Sequence, residues 1–177
     1  MQTPTKKGKT PGRPAGAELT FSPPPPNLCN GTALRKATRR VSQLYDAIIA
    51  PCGLRSTQRS ILIQIARAQS PTMSELAAAM VLDRSALAHN LKPLERDGLV
   101  AVVPDPEDRR SRIVTLTKRG EAKLAASMSL WRDAQARFEK AFGAEQAEAL
   151  RSALAIMASD DFAEAFEKAG RSKGAKD

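Results

Sequence analysis

The chain has 177 residues, and 42% of them are hydrophobic, which is enough to bury a core and excludes a wholly disordered protein. With 28 Lys and Arg against 19 Asp and Glu, its net charge of +9 favours a polyanionic partner such as nucleic acid, with a membrane surface as the rival. No apolar run approaches the roughly 18 residues of a membrane-spanning helix, and no signal peptide opens the chain, so we expect a soluble, cytoplasmic protein without a membrane span.

Both ends of the chain carry excess positive charge. Residues 1–30 hold four Lys and Arg against one Glu, a net of +3, and residues 167–177 hold four against two acidic residues, a net of +2. The first segment is polar and ends in four consecutive prolines, which cannot enter a helix. We therefore predict a disordered, basic, Pro-rich tail over residues 1–27 and a second basic tail over 167–177.

Three helices are predicted in the next part of the chain. Apolar residues recur at helical spacing from Thr32 onward, which predicts an N-terminal helix within residues 28–50. Thr57 is positioned to start a second helix. Thr72 and Glu75 have the spacing of a capping box, in which each side chain satisfies a free backbone N–H at the helix start, and this predicts a short third helix.

A fourth helix and a β-hairpin follow. Asp83 as the N-cap and Gly98 as the stop predict a helix over residues 84–96. Its apolar residues share one face, which we expect to be buried: Leu87, Leu91 and Leu94. Two short β-branched runs at 99–103 and 112–116 then flank a polar, charged loop, which predicts a two-stranded wing.

Two long helices are predicted over residues 117–166. The order of these predicted elements indicates a mainly α fold with six helices and a small β-wing. Residues 55–116 are predicted to form a winged helix-turn-helix DNA-binding domain. The N-terminal helix and the helices of 117–166 have broad apolar stripes that a chain of this size leaves uncovered, so we expect them to form a homodimer.

The predicted DNA-binding residues lie on the fourth helix and on the wing. A winged helix-turn-helix lays its second helix in the major groove, and the face opposite the leucines offers small, polar and basic side chains there. That face consists of Arg84, Ser85, Ala88, His89 and Lys92. The wing loop at 104–111 contains Arg109 and Arg110, and Arg112 follows directly after the loop. Arginine is attracted to the negative potential of the minor groove.

These residues resemble the MarR (multiple antibiotic resistance regulator) family over about residues 32–166. The resemblance rests on three segments in this order: Leu82-Asp83-Arg84-Ser85-Ala86-Leu87, Leu94-Glu95-Arg96-Asp97-Gly98-Leu99-Val100, and Asp105-Pro106-Glu107-Asp108-Arg109-Arg110 running into Val114-Thr115-Leu116-Thr117. It implies a homodimer whose first and last two helices interlock and whose two winged domains bind a pseudo-palindromic operator in double-stranded DNA. It also implies a repressor that is released by a small ligand or by oxidation.

The resemblance assigns roles within the wing and leaves the operator open. It implies that Arg109 or Arg110 enters the minor groove and that Asp108 braces this arginine. Where close relatives tend to have Thr-Arg in the recognition helix, this chain has Ala88-His89, so the operator sequence is not inherited with the fold.

Two kinds of effector site are candidates. Tyr45, Trp131 and Phe138 are among the few aromatic residues and could line a pocket for a small aromatic ligand, or could equally be core or dimer-interface residues. One branch of the resembled family senses hydroperoxides with a cysteine near the first helix, and here Cys29 precedes that helix. Its position is offset by two residues from that branch, and the redox role is one alternative beside the ligand pocket.

We expect no metal, no cofactor and no enzymatic activity. Two cysteines and the single His89 cannot form a Cys/His zinc cluster, and the chain lacks a Gly-rich phosphate loop or a nucleophile motif. The alternative function is that of an architectural winged-helix protein that binds DNA without sequence preference and has no effector.

Overall fold

The computed structural model describes residues 28–171 together with Ser22, Pro24 and Pro25. In this part of the chain it has seven α-helices, a short 3-10 helix at Ala50–Cys52 and one two-stranded antiparallel sheet. The elements in order are α1 (Asn30–Ile49), α2 (Ser56–Ala68), α3 (Met73–Ala79), α4 (Arg84–Arg96), β1 (Val100–Pro104), β2 (Arg112–Leu116), α5 (Lys118–Phe142), α6 (Ala144–Met157) and α7 (Asp160–Arg171). The predicted mainly α fold with a β-wing is confirmed.

The last predicted helix is two helices, so the predicted count of six is corrected to seven for the described residues. Ser159 makes the break, because its hydroxyl donates to the Ile156 carbonyl at 2.8 Å and accepts from the Phe162 N–H at 3.3 Å. It thereby caps the end of one helix and the start of the next. Helix α7 also runs on to Arg171, five residues beyond the predicted end at 166. Residues 172–177 and most of the predicted tail over 1–27 lie outside the described residues.

Among the described residues, those up to Lys36 belong to one compact unit and those from Ala37 onward to a second. The core of the second unit is formed by α2, α3, α4, the wing and the start of α5. The three leucines predicted to face inward from α4 are all buried there: Leu87, Leu91 and Leu94. Fully burying one such side chain contributes about 1.5–3 kcal/mol, so this face fixes the orientation of α4.

The wing is attached to the helix-turn-helix by backbone hydrogen bonds. Its strands pair from Val100 opposite Leu116 to Pro104 opposite Arg112. The segment before α3 adds to the outer side of β2, where the Val114 N–H donates to the Pro71 carbonyl at 2.8 Å and Thr72 forms a bridge with Ile113. The wing and α3 are therefore held in a fixed relation.

The start of α5 packs directly on the residues that follow α4. The Thr117 hydroxyl donates to the Gly98 carbonyl at 2.7 Å and accepts from the Gly120 N–H at 3.0 Å. A Cβ atom at Gly120 would lie 1.9 Å from the Leu99 carbonyl oxygen. This contact distance requires glycine at position 120, because any side chain there would displace the backbone of Leu99.

The helices at the two ends of the chain expose large apolar side chains. None of those on α7 is buried, and Phe166 is 72% exposed. The exposed apolar residues of α1, α6 and α7 include Leu34, Leu44, Leu154, Ile156, Phe162 and Phe166. These helices are nevertheless unsuited to crossing a bilayer: within the described residues, no helix combines sufficient length with sufficient apolar character.

Candidate nucleic-acid interface

The exposed face of α4 carries the residues that the sequence assigned to the major groove. The Asp83 carboxylate accepts from the Ala86 N–H at 2.7 Å and starts the helix as predicted. Ser85, His89 and Lys92 lie on the side opposite the buried leucines and are exposed, with the half-buried Ala88 next to them. Arg84 in the first turn is also exposed. A small residue between longer polar ones gives a surface that can approach base edges closely.

Arg84 links the two helices of the helix-turn-helix. Its Nη2 donates to the hydroxyl of Ser74 in the first turn of α3. A guanidinium has five N–H donors, so this bond orients the group and leaves others for a ligand. Helix α3 is itself started by the predicted capping box, in which the Thr72 N–H donates to Glu75 Oε2 at 2.8 Å and the Glu75 N–H donates to the Thr72 hydroxyl at 3.2 Å.

The wing loop is ordered by its aspartates. The Asp105 N–H donates to the Ser111 carbonyl at 3.1 Å, which closes the loop at its base. The Asp108 carboxylate accepts from the backbone N–H of Arg110 at 2.9 Å. The expected bracing by Asp108 thus acts on the backbone of Arg110, and none of the ion pairs within the described residues joins it to a wing guanidinium.

The arginines of the wing are accessible to solvent. Arg109, Arg110 and Arg112 are exposed, and they take part in no ion pair in the described part of the chain. The structure therefore presents an arginine-bearing loop and an exposed polar helix face, both attached to one core.

Comparisons with known proteins match this architecture. The MarR family model matches residues 54–111. HTH-type transcriptional repressor NicR of Pseudomonas putida is 31% identical over 113 residues, which cover 64% of this chain and 72% of NicR. The structure of the M. tuberculosis transcriptional regulator MOSR in complex with DNA has 36% identity and a TM-score of 0.69, and covers 77% of this chain and 97% of that one. The chain belongs to the MarR family.

A further relative matches only part of its length. Transcriptional activatory protein BadR of Rhodopseudomonas palustris is 42% identical over 71 residues, which cover 38% of this MarR-family chain and 41% of BadR. The relatives thus include an activator and a repressor, and family membership alone does not fix the direction of regulation.

The predicted aromatic pocket is only partly assembled in this MarR-family chain. The rings of Tyr45 and Phe138 meet edge to face with centroids 6.4 Å apart, and both line a groove of about 490 Å³ between α1 and α5. The Tyr45 hydroxyl donates to Gln135 Oε1 at 3.0 Å, and burial raises the pKa of the phenol. Trp131 does not line this groove, so the structure brings two of the three predicted aromatic residues together there.

Trp131 instead covers a buried arginine that the sequence analysis missed. Arg59 is only 7% exposed, and its guanidinium lies 4.9 Å from the centre of the Trp131 ring. Its Nε donates to the Ser127 hydroxyl at 3.1 Å and its Nη2 to the Met128 sulfur at 3.2 Å. Burial lowers the pKa of Arg59, and within the described residues no ion pair with a carboxylate offsets that burial.

The two cysteines lie in different surroundings. Cys29 is exposed and free, and hydrogen bonds from the Thr32 side chain and backbone lower the pKa of its thiol below the ordinary 9.0. Cys52 is half-buried and free, and its thiol donates to the Ile49 carbonyl at 3.1 Å. Cys29 is therefore the more accessible of the two thiols.

Proposed function

We propose that this MarR-family protein is a sequence-specific DNA-binding transcriptional regulator that represses from a pseudo-palindromic operator as a homodimer and is released by an effector. The observation that carries the proposal is the exposed polar face of α4 beside the arginines of the wing, on one rigid module. A DNA target agrees with the cytoplasmic location expected from the sequence, and the proposal assigns no catalytic reaction.

In this proposal α4 enters the major groove. Ala88 lets the helix approach the bases, and the neighbouring Ser85 and His89 supply hydrogen-bonding groups for base edges. Arg84 and Lys92, towards the two ends of the helix, contact phosphates. The bond from Arg84 to Ser74 supports this role because it holds the guanidinium at the start of the helix.

The wing at 104–111 lies in the adjacent minor groove. Arg109 and Arg110 are exposed and free of carboxylate partners among the described residues, so their charge is available to the groove. Asp108 supports the insertion by holding the backbone of Arg110 at 2.9 Å, which reduces the entropy lost when the loop binds.

A second copy of the chain covers the exposed apolar face of the terminal helices. Phe162 and Phe166 lie one turn apart on α7, their ring centroids 6.3 Å apart, and both are exposed. An exposed apolar face of this kind on a helix of two or more turns favours association with a second copy of the chain. Two-fold symmetry then places two recognition helices about 34–36 Å apart, which suits half-sites one turn apart on DNA.

The effector is a small ligand or an oxidant. The apolar groove at Tyr45 and Phe138 suits a small aromatic ligand. Arg59 connects α2 to α5 through Ser127 and Trp131, so a ligand that shifts α5 would shift the winged domain as well. Oxidation of Cys29 is the other route, supported by its exposure and lowered pKa.

The DNA-binding proposal is tested by fluorescence anisotropy on a duplex from the gene's own upstream region and on a scrambled duplex. We expect tighter binding to the upstream duplex and, if about six phosphates are neutralised, an affinity loss of roughly three orders of magnitude over a fourfold rise in salt. Arg110→Ala should weaken binding to both duplexes, whereas His89→Ala should reduce the difference between them. Equal affinity for both duplexes in the wild type would instead identify the architectural alternative.

The release mechanism is tested on the same complex. Loss of binding after organic hydroperoxide, restored by reductant and absent in Cys29→Ser, would assign the oxidation route. Binding unaffected by peroxide but weakened by a small aromatic compound would assign the ligand route, and Phe138→Ala should then abolish that response.

A further inference from the structure

The positive charge of the protein lies mostly outside the winged domain. Residues 1–45 hold eight Lys and Arg against one Glu, a net of +7, whereas residues 46–177 hold 20 against 18 acidic residues, a net of +2. The proposed contacts of α4 and the wing do not use this excess. A second surface therefore accounts for the high net charge.

Helix α1 carries the ordered part of that charge on one face. Arg35, Lys36, Arg39 and Arg40 are all exposed. At 3.6 residues per turn they project within an arc of about 140°, whose centre lies roughly opposite the half-buried Val41 and Ile48. They form two rows of side chains one turn apart, and we call this surface the basic face of α1.

The basic face destabilises the helix that carries it. Like charges at i and i+4, such as Arg35 with Arg39 and Lys36 with Arg40, cost about 0.2–0.5 kcal/mol per pair. The first turn of α1 has no acidic residue. None of the four takes part in an ion pair within the described residues. A bound polyanion would remove this repulsion.

We infer that the basic face of α1 binds backbone phosphates of DNA outside the base pairs that α4 and the wing read. This inference rests on the proposed DNA-binding function. From Arg35 to Arg40 the helix rises about 7.5 Å, which corresponds to roughly two base-pair steps of about 3.4 Å along the DNA axis. Four more cations precede it in the sequence, Lys6, Lys7, Lys9 and Arg13, so the complementary partner is an extended polyanion.

The experiment compares the salt dependence of DNA binding for the full-length wild type and the double variant Arg39→Gln/Arg40→Gln. Each lost phosphate contact makes the slope of log K against log salt shallower by about 0.9, so two contacts give about 1.8 per protomer. The change should be equal on operator and scrambled duplexes and leave the preference between them intact. The control Arg132→Gln/Lys140→Gln removes the same charge from exposed positions on α5.

The outcomes separate the inference from the proposed function. A shallower slope in the α1 variant but not in the control supports the inference. An unchanged slope, or an equal change in the control, overturns it. Binding of the wild type, but not of the variant, to phosphatidylserine vesicles with an unchanged DNA slope overturns it in favour of a membrane. A wild type that binds the operator and the scrambled duplex equally well would refute the proposed function. The salt slope of the α1 variant would then still show whether the basic face of α1 binds DNA phosphates.

Discussion

Substitution of Gly120 by alanine should loosen the junction between the recognition helix, the wing and α5. The new Cβ would lie 1.9 Å from the Leu99 carbonyl oxygen, whereas real Cβ atoms stay at least 3.0 Å away, so that oxygen must move by about 1.1 Å. The same oxygen accepts from the Thr117 N–H at 3.1 Å, and Leu99 itself donates to the Leu94 carbonyl at 2.8 Å. The displacement therefore strains the hydrogen bonds that join the base of the wing to α4 and to the residue before α5.

The expected loss of stability follows from two opposing effects. Overpacking a close-packed site costs about 1–3 kcal/mol, and the upper part of that range applies because the obstacle is backbone. Alanine in place of glycine returns up to about 1 kcal/mol of helix propensity. The net destabilisation is about 2 kcal/mol, which lowers Tm by about 4–8 °C in a protein of this size.

Thermal and urea unfolding of the Gly120→Ala variant at a fixed protein concentration measure this loss. Gly31→Ala is the matched control, since position 31 also lies in the first turn of a helix but its Cβ would be 3.6 Å from the nearest atom, an ordinary contact. Only Gly120→Ala should lose stability. An unchanged Tm in Gly120→Ala, or the same loss in the control, would refute the argument from close packing.

Three further predictions concern titration. Hydrogen bonds from the Thr72 backbone and side chain lower the pKa of Glu75 below 4.5, so its contribution to stability is present above that pH and is lost as the pH falls through the lowered pKa. The Glu75→Gln variant should therefore show a flatter acid limb in a plot of urea midpoint against pH, and an unaltered limb would contradict this. Tyr45 is the only tyrosine, and burial should move the midpoint of its ultraviolet titration above 10 in the folded protein but not in denaturant. In a Cys52→Ser variant the reaction of Cys29 with a thiol reagent should have its midpoint below pH 9.0, and a midpoint at or above it would exclude an activated thiol.

The winged domain could be predicted from the sequence because its signals are local. Asp83 and Gly98 mark the ends of α4 by the chemistry of the residues themselves: the carboxylate caps the first turn, and Gly98 adopts φ +65°, which disfavours a side chain. The alternation of apolar residues then fixes which face is buried. Each of these features depends on residues within a few positions of one another.

The missed features depend on contacts between residues far apart in sequence or on a serine with two roles. Arg59 interacts with Ser127 and Trp131, some seventy positions away, so the sequence alone gave no reason to pair them. A charged residue three positions before Leu62, on the buried side of α2, was the available signal. The break at Ser159 lacked the glycine or proline that normally marks a helix end.

The hydrogen bond between Val114 and Pro71 has a consequence for regulation. Because β2 is joined to the segment before α3, a movement of the wing relative to α3 would break these backbone contacts. In the effector-controlled homodimer proposed above, the effector would therefore act on the distance and angle between the two winged domains, and not on the shape of either one. Release from DNA would then follow when the separation of the two α4 helices no longer matches the helical repeat of DNA.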